Sequence, residues 1–232
     1  MPRPRLSGHD RRQSIVEAAK TVFAMNGFEG AKTFQIARTA GVSEALVYRH
    51  FPSKTALYRA VLRHVIHDQD ATLKRFGAIE PSARGIVDML VRTARNAIAG
   101  DAALNALGMR LVFGSLAADG SYARLVYRRA SRLVLPQVRA AMAAAESEGA
   151  LESYSVAPEN AVNFVEHVTT MIQMTRSGGR PAVEHPEGNA RLIADCVRFC
   201  ARGIGLRAEV VERLLGEALA ADYANDINAT VE

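Results

Sequence analysis

The sequence predicts an all-α protein, and three observations carry that prediction. Apolar residues recur at i, i+3, i+4 along nearly every segment, the period of a helix with one buried stripe. Gly, Pro, Ser and Thr fall between those segments at helix-length intervals, where helices start and stop. Alternating strand-like runs joined by hairpin turns are missing, as are internal repeats and low-complexity tracts. The expected layout is a basic arm at 1–10, a three-helix unit at 11–65 continued by a long fourth helix, a larger helical domain at 66–222 and a tail at 223–232.

The elements follow in order. From Arg11, Ile15, Ala18, Ala19, Val22 and Phe23 form one apolar stripe, and Asn26-Gly27 ends it because Gly accepts the left-handed conformation of a helix terminus. Thr33 is read as the N-cap of a short second helix carrying Ile36, Ala37 and Ala40, which Gly41 closes. Ser43 caps a third helix with Val47 and Phe51 facing inward. Pro52 ends it, and Ser53 caps a fourth with Leu57, Ala60, Val61, His64 and Val65 inward. Residues 82–99 place Ile86, Met89, Leu90, Thr93 and Ala97 on one side. Residues 101–117 are apolar nearly all round, which predicts a buried central helix. A long helix at 121–148 contains Pro136, where a kink is expected. Residues 158–176 put Ala161, Phe164, Val165, Val168, Met171 and Ile172 on one face. A Gly/Pro-rich loop at 177–189 precedes two last helices near 189–203 and 207–221, with fraying expected from Asp222.

Composition narrows the function classes. The chain has 232 residues, 49 % of them apolar and 23 % charged, with a net charge of +5. No run approaches the ~18 continuous apolar residues of a membrane helix. The basic N-terminus has no apolar run behind it, so no secretory signal is expected. Two cysteines spaced i, i+4 (Cys196, Cys200) suit free thiols and a cytoplasmic location rather than a disulfide scaffold. The charge is unevenly placed. Residues 1–64 hold 11 Lys and Arg against 4 acids, a balance of +7, while the remaining residues hold 18 against 20, a balance of −2. A basic module for a polyanion attached to a neutral-to-acidic body is the reading.

The second and third helices, joined by a tight turn at Gly41-Val42, have the layout of a helix-turn-helix. With Val47 and Phe51 inward, the third helix turns Ser43, Glu44, Ala45, Leu46, Tyr48 and Arg49 outward, where they suit the DNA major groove. The run TFQIARTAGVSEALVYRHFPSKTALYRAVL, preceded by RRQSIVEAAKTVFAMNGFEGAKT, resembles the N-terminal domain of the TetR family of one-component regulators. The residues that carry the resemblance are Ala18-Ala19, Phe23, Gly27, Thr33, Ile36-Ala37, Ala40-Gly41-Val42-Ser43, Tyr48, His50-Phe51, Lys54 and Leu57, over about residues 11–65.

The resemblance implies a homodimer on a palindromic double-stranded DNA operator, released when a small-molecule effector enters the C-terminal domain, with no cofactor and no metal. Thr33, Tyr48, His50 and Lys54 match phosphate-contacting positions. Ser43, Glu44 and Ala45 fall where base-edge contacts are made, with Leu46 and Arg49 beside them. Glu44 departs from the frequent Lys or small residue there. It either accepts from cytosine N4 or is a solvated acid favoured by the helix dipole. Leu46 suits a thymine methyl. Arg3 and Arg5 either enter the minor groove or are unstructured charge. Tyr48 and His50 also have purely structural readings, as cover for the core and as a backbone partner.

Outside that module, an effector pocket is expected among His64, Met89, Leu90, Thr93, Met109, Phe113, Phe164, His167 and Met171, mostly apolar with a few polar orienters. Each of these is equally readable as core, and His64 as a packed histidine with one satisfied nitrogen. His64 and His67 with Asp68 and Asp70 lack the further ligands a metal site needs. Pairing of the helices at 158–176 and 189–205 with their copies is implied by the family, with Val165, Val168, Ile172, Ile193, Cys196, Val197 and Cys200 as interface candidates; the cysteines suit core packing as well. Arg124, Arg128 and Arg132 form a solvated stripe. An enzyme is unsupported: G-x-S-x-G, a phosphate loop and H-E-x-x-H are all missing. A membrane-surface protein is disfavoured because the N-terminal stripe is core-forming. Ligand-independent or activating regulation by the same fold is the alternative.

Overall fold

The computed structural model describes residues 7–100, 102–176 and 180–231, with backbone alone at 69–76, 102–106 and 221–231. The described residues form helices and one isolated bridge, Leu151 to Leu206. They divide into two compact units, Met1–Arg75 with Leu104–Val126, and Phe76–Ala103 with Tyr127–Glu232. This division departs from the expected boundary at residue 65, because a segment distant in sequence joins the first unit.

The first unit begins with α1 (Gly8–Gly30), which starts three residues before the expected Arg11, because Ser7 caps it by accepting from the Asp10 N–H at 3.1 Å. Gly27 breaks the helical run at a φ of 66°, the left-handed region that the Asn26-Gly27 pair predicts. α2 (Thr33–Ala40) ends at Gly41, again at a φ of 66°. Thr33 is not its N-cap. Lys32 holds that position, and the Gln35 side chain reaches back to accept the Lys32 N–H at 3.0 Å, so Thr33 becomes the first helical residue. α3 (Glu44–His50) is capped by Ser43, whose hydroxyl accepts from the Leu46 N–H at 3.2 Å. α4 (Lys54–Phe76) follows Ser53, which accepts from the Ala56 N–H at 3.1 Å. Ile15 and Phe23 of α1, Ile36 and Ala37 of α2, Val47, Phe51, and Leu57, Val61 and Val65 of α4 close one core. Tyr58 joins it edge-on to Phe23, ring centroids 4.9 Å apart.

α6 (Ala102–Leu116) and the start of α7 (Ser121–Ser147) add Leu111 and Tyr122 to that same core. The expected buried central helix is therefore corrected. Of its described side chains Leu111 is buried, Met109, Val112 and Phe113 are half-buried, and Leu116 faces solvent. An all-round apolar composition does not specify which face packs, and here one side suffices. The corner between these helices is tied by Ser115, whose hydroxyl accepts the Tyr122 and Ala123 N–H groups, each at 3.1 Å.

The second unit is a bundle of α5 (Ala83–Ala99), the rest of α7, α8 (Pro158–Arg176), α9 (Gly188–Ile204) and α10 (Ala208–Val231). Ser82 caps α5 by accepting from the Gly85 N–H at 3.0 Å, and Glu148 accepts the Ala83 N–H at 3.0 Å. The buried stripe of α5 is Ala83, Ile86, Val87, Leu90, Val91, Ala94 and Ile98. It is rotated from the expected one, so Met89, Thr93 and Ala97 lie at its half-buried edge. α10 keeps its helical backbone to Val231, where a frayed tail was expected from Asp222. Pro136 lies inside α7, which runs on through it to Ser147.

Candidate nucleic-acid interface

α2 and α3 cross with their small apolar faces inward and leave a polar surface on the other side. Val47 and Phe51 are buried; Glu44, Ala45 and Arg49 are exposed; Leu46 and His50 are half-buried. Ser43 spends its hydroxyl oxygen on the α3 cap, which leaves its O–H as a donor. Leu46, read as outward-facing, is half-buried, and its N–H is the one that Ser43 caps. Two hydroxyls join the helices across this surface: Thr33 Oγ1 and Tyr48 Oη lie 3.3 Å apart. Because Thr33 is the first residue of α2, this contact puts a helix N-terminus and two hydroxyls side by side, a set of donors that suits a phosphate. Tyr48 is 46 % exposed, so it does not serve as cover for the core.

Lys54 is held in place. Its ammonium donates to the Glu29 carbonyl at 3.2 Å and sits 4.6 Å from the centre of the Phe28 ring, so the cation is anchored with capacity for further acceptors. Arg12 covers the Phe51 ring from 4.7 Å. Arg3 and Arg5 lie outside the described residues. Phe34, at the start of α2, is 56 % exposed and escaped the sequence reading. Its signal was available, since a large apolar residue falls off the Ile36/Ala37/Ala40 stripe.

His64 is engaged within the same unit. Gln13 Nε2 lies 3.3 Å from its Nδ1, and its Nε2 meets the Glu17 carboxylate and stands 3.5 Å from Asp68 Oδ2. Lys20, itself buried, donates to Asp68 at 2.9 Å. Both imidazole nitrogens are thus spent on clamping α1 to α4. Among the described residues no group of three or more His, Cys, Asp or Glu side chains forms a metal site.

The residues expected to line a pocket are not brought to one place within either unit. His64, Met109 and Phe113 belong to the first unit and the others to the second. Leu90 is solid core, while Phe164 and Met171 are 56 % and 53 % exposed, and His167 is exposed too, its ring edge-on to Tyr127 at 5.8 Å. The interface candidates show the opposite shift. Val165, Ile193, Cys196, Val197 and Cys200 are buried in the second unit's own core, and Val168 and Ile172 are half-buried. On α8 and α9 the burial differs from the expected faces because a helix stripe wider than one contact reveals an apolar side without saying which half of it faces the chain's own core.

The described part of the first unit is also where known proteins match. Residues 15–61 fit the family model described as bacterial regulatory proteins, tetR family. These residues are a TetR-family domain. The segment is 44 % identical over 66 residues to the HTH-type transcriptional regulator RutR of Escherichia coli (strain K12), covering 28 % of this chain and 31 % of RutR. It is 47 % identical over 62 residues to the HTH-type transcriptional activator FasR of Mycolicibacterium smegmatis, covering 26 % and 28 %. The chain thus spans under a third of the length of these curated relatives, a transcriptional regulator and a transcriptional activator. Among solved structures, a TetR-family regulatory protein from Rhodococcus RHA1 superimposes with a TM-score of 0.63 at 17 % identity, over 87 % of this chain and 100 % of that one. Salmonella enterica GusR does so at 0.57 and 19 %, over 87 % and 99 %. At such identities the likeness is one of fold, and it extends the TetR fold beyond the matched domain. No helix among the described residues is long and apolar enough to cross a membrane.

Proposed function

We propose that this protein is a transcriptional regulator that binds a palindromic DNA operator as a homodimer through α3 and answers to a small-molecule effector, acting as a repressor. The observation that carries the DNA-binding reading is the Thr33–Tyr48 hydroxyl pair at the α2 N-terminus, with the anchored Lys54 ammonium in the same three-helix unit. Within this reading Thr33, Tyr48, His50 and Lys54 hold phosphates, and Ser43, Glu44, Ala45, Leu46 and Arg49 face base edges. Arg3 and Arg5 add minor-groove contacts.

Dimerisation is supported by exposed Phe164 and Met171 on α8 and by Phe199 on α9, 68 % exposed. These replace the buried residues as the interface on this reading. Effector binding is supported in the second unit by two buried donor atoms without a partner among the described residues, Arg92 Nε on α5 and Gln173 Nε2 on α8. Buried donors of that kind ordinarily find a partner, and a ligand with acceptor oxygens supplies one. Met89 and Thr93 are half-buried on the same α5. Activation in place of repression is the second reading, favoured by the similarity to FasR, a transcriptional activator.

Fluorescence anisotropy with duplexes selected by the purified protein from a random pool tests the reading. Salt-sensitive binding that prefers a two-fold symmetric sequence is expected. Binding indifferent to sequence at every salt concentration refutes it.

A further inference from the structure

Within the first unit, aromatic side chains are almost all accounted for by packing. Phe23, Phe28 and Tyr58 contact one another, and Phe28 and Phe51 carry Lys54 and Arg12 over their faces. Phe34 belongs neither to that core nor to the half-buried side chains packed against it. At about 100° per residue, α2 turns Ile36 and Ala37 inward and leaves Phe34 and Arg38, four residues apart, on one exposed face. Lys32 is exposed just before it, and Thr33, directly adjacent in sequence, reaches Tyr48.

A single exposed apolar residue is unremarkable in most places. The setting of Phe34 differs, since it shares its exposed face with Arg38, follows exposed Lys32 by two residues and adjoins Thr33 of the hydroxyl pair in sequence. Cations flanking an aromatic ring suit a polyanion better than the apolar patch of a protein partner. Double-stranded DNA offers one apolar group in its major groove, the C5-methyl of thymine. On the DNA-binding reading, a phosphate held by Thr33 and Tyr48 fixes the register of α2 on the backbone, and Phe34, the next residue, projects about 100° round the helix from Thr33.

We infer that Phe34 is a specificity-determining residue: its ring packs on a thymine methyl in each operator half-site, selecting thymine at one position that α3 does not read. The inference rests on the DNA-binding reading and goes beyond it by placing sequence readout on α2.

The test removes the methyl from the DNA, so the wild-type measurement is free of folding effects. A symmetric operator is selected from a random pool by the wild-type protein. Each thymine pair related by the two-fold is then replaced by deoxyuridine, and affinity is read by fluorescence anisotropy at one salt concentration. At one thymine pair the wild-type protein is expected to lose about fourfold in affinity per half-site, the worth of one buried methyl group. The Phe34→Ala protein, with its fold checked by circular dichroism, loses nothing further at that pair while keeping the wild-type response elsewhere. The inference is overturned if no thymine is methyl-sensitive, if Phe34→Ala keeps the full pattern, or if Leu46→Ala abolishes the response at that pair instead. Failure to select any duplex overturns the DNA-binding reading itself, and is distinguishable because the wild-type protein then binds nothing preferentially.

Discussion

At the scale of single residues, the interface depends on side chains whose second contacts are already made. Tyr48 presents its hydroxyl to Thr33, so Tyr48→Phe removes one donor and keeps the ring. An affinity loss of roughly 1 kcal/mol, about fivefold, is expected, and equally for operator and random duplexes, because phosphate contacts carry no sequence information. Lys54→Ala is expected to make the slope of log affinity against log salt shallower by about one, as befits one phosphate contact. Both effects are read from salt titrations by anisotropy. The cysteines belong to this scale as well. Cys196 and Cys200 are free and buried, and the Cys200 thiol is pushed up by its hydrogen bond with Cys196 and by burial. Ellman's reagent is therefore expected to react with neither thiol in the native protein and with both in denaturant; rapid native labelling contradicts the packing described.

At the scale of elements, most helix boundaries were legible because the residues that set them act locally. Ser43, Ser53 and Gly41 do in the structure what their types and positions imply. Gly41→Ala places a Cβ on a φ of 66°, and a stability loss of about 1–2 kcal/mol by urea denaturation is expected. The Thr33 cap was misread for a specific reason. Lys32 is a poor capping type, but Gln35 satisfies its N–H from inside the helix, a contact visible only once both are placed. Long-range pairing was illegible for the same reason. Arg198 of α9 grips Glu212 of α10 at 2.9 Å and Asp195 at 3.2 Å. Asp195 is held below its ordinary carboxylate value first by its hydrogen bond with Arg191, and Glu212 by that with Arg198. A carboxyl lowered in the folded state stabilises it above the unfolded value, near 4, and the benefit is lost as pH falls through the folded value. Arg198→Ala is accordingly expected to lower Tm slightly at about pH 7, by an amount that shrinks as the pH falls through the lowered folded-state values and the carboxyls take up protons. Solvent screening keeps the effect small.

At the scale of the whole molecule, the exposed apolar side chains of α8 and α9 bear on assembly. Phe199→Asp is expected to shift the proposed dimer toward monomer in light scattering coupled to size exclusion, with the circular dichroism spectrum unchanged. A dimer that survives both this change and Phe164→Asp rules these faces out. The helix content, the order of the helices and the three-helix module were determined by the sequence by itself, since caps, breakers and a 3.6-residue period act over a few residues and leave a local trace. The charge division between residues 1–64 and the rest was equally plain, because charge needs no geometry to be counted. Tertiary structure decided which half of each wide apolar stripe meets the chain's own core: Val165 and Val197 went inward, Phe164 and Phe199 outward. It also decided that Leu111 and Tyr122, some fifty residues beyond α4's core-facing residues, complete the N-terminal core. Periodicity reports that a face is apolar, and only the packed partner, brought near by the rest of the chain, determines what that face meets.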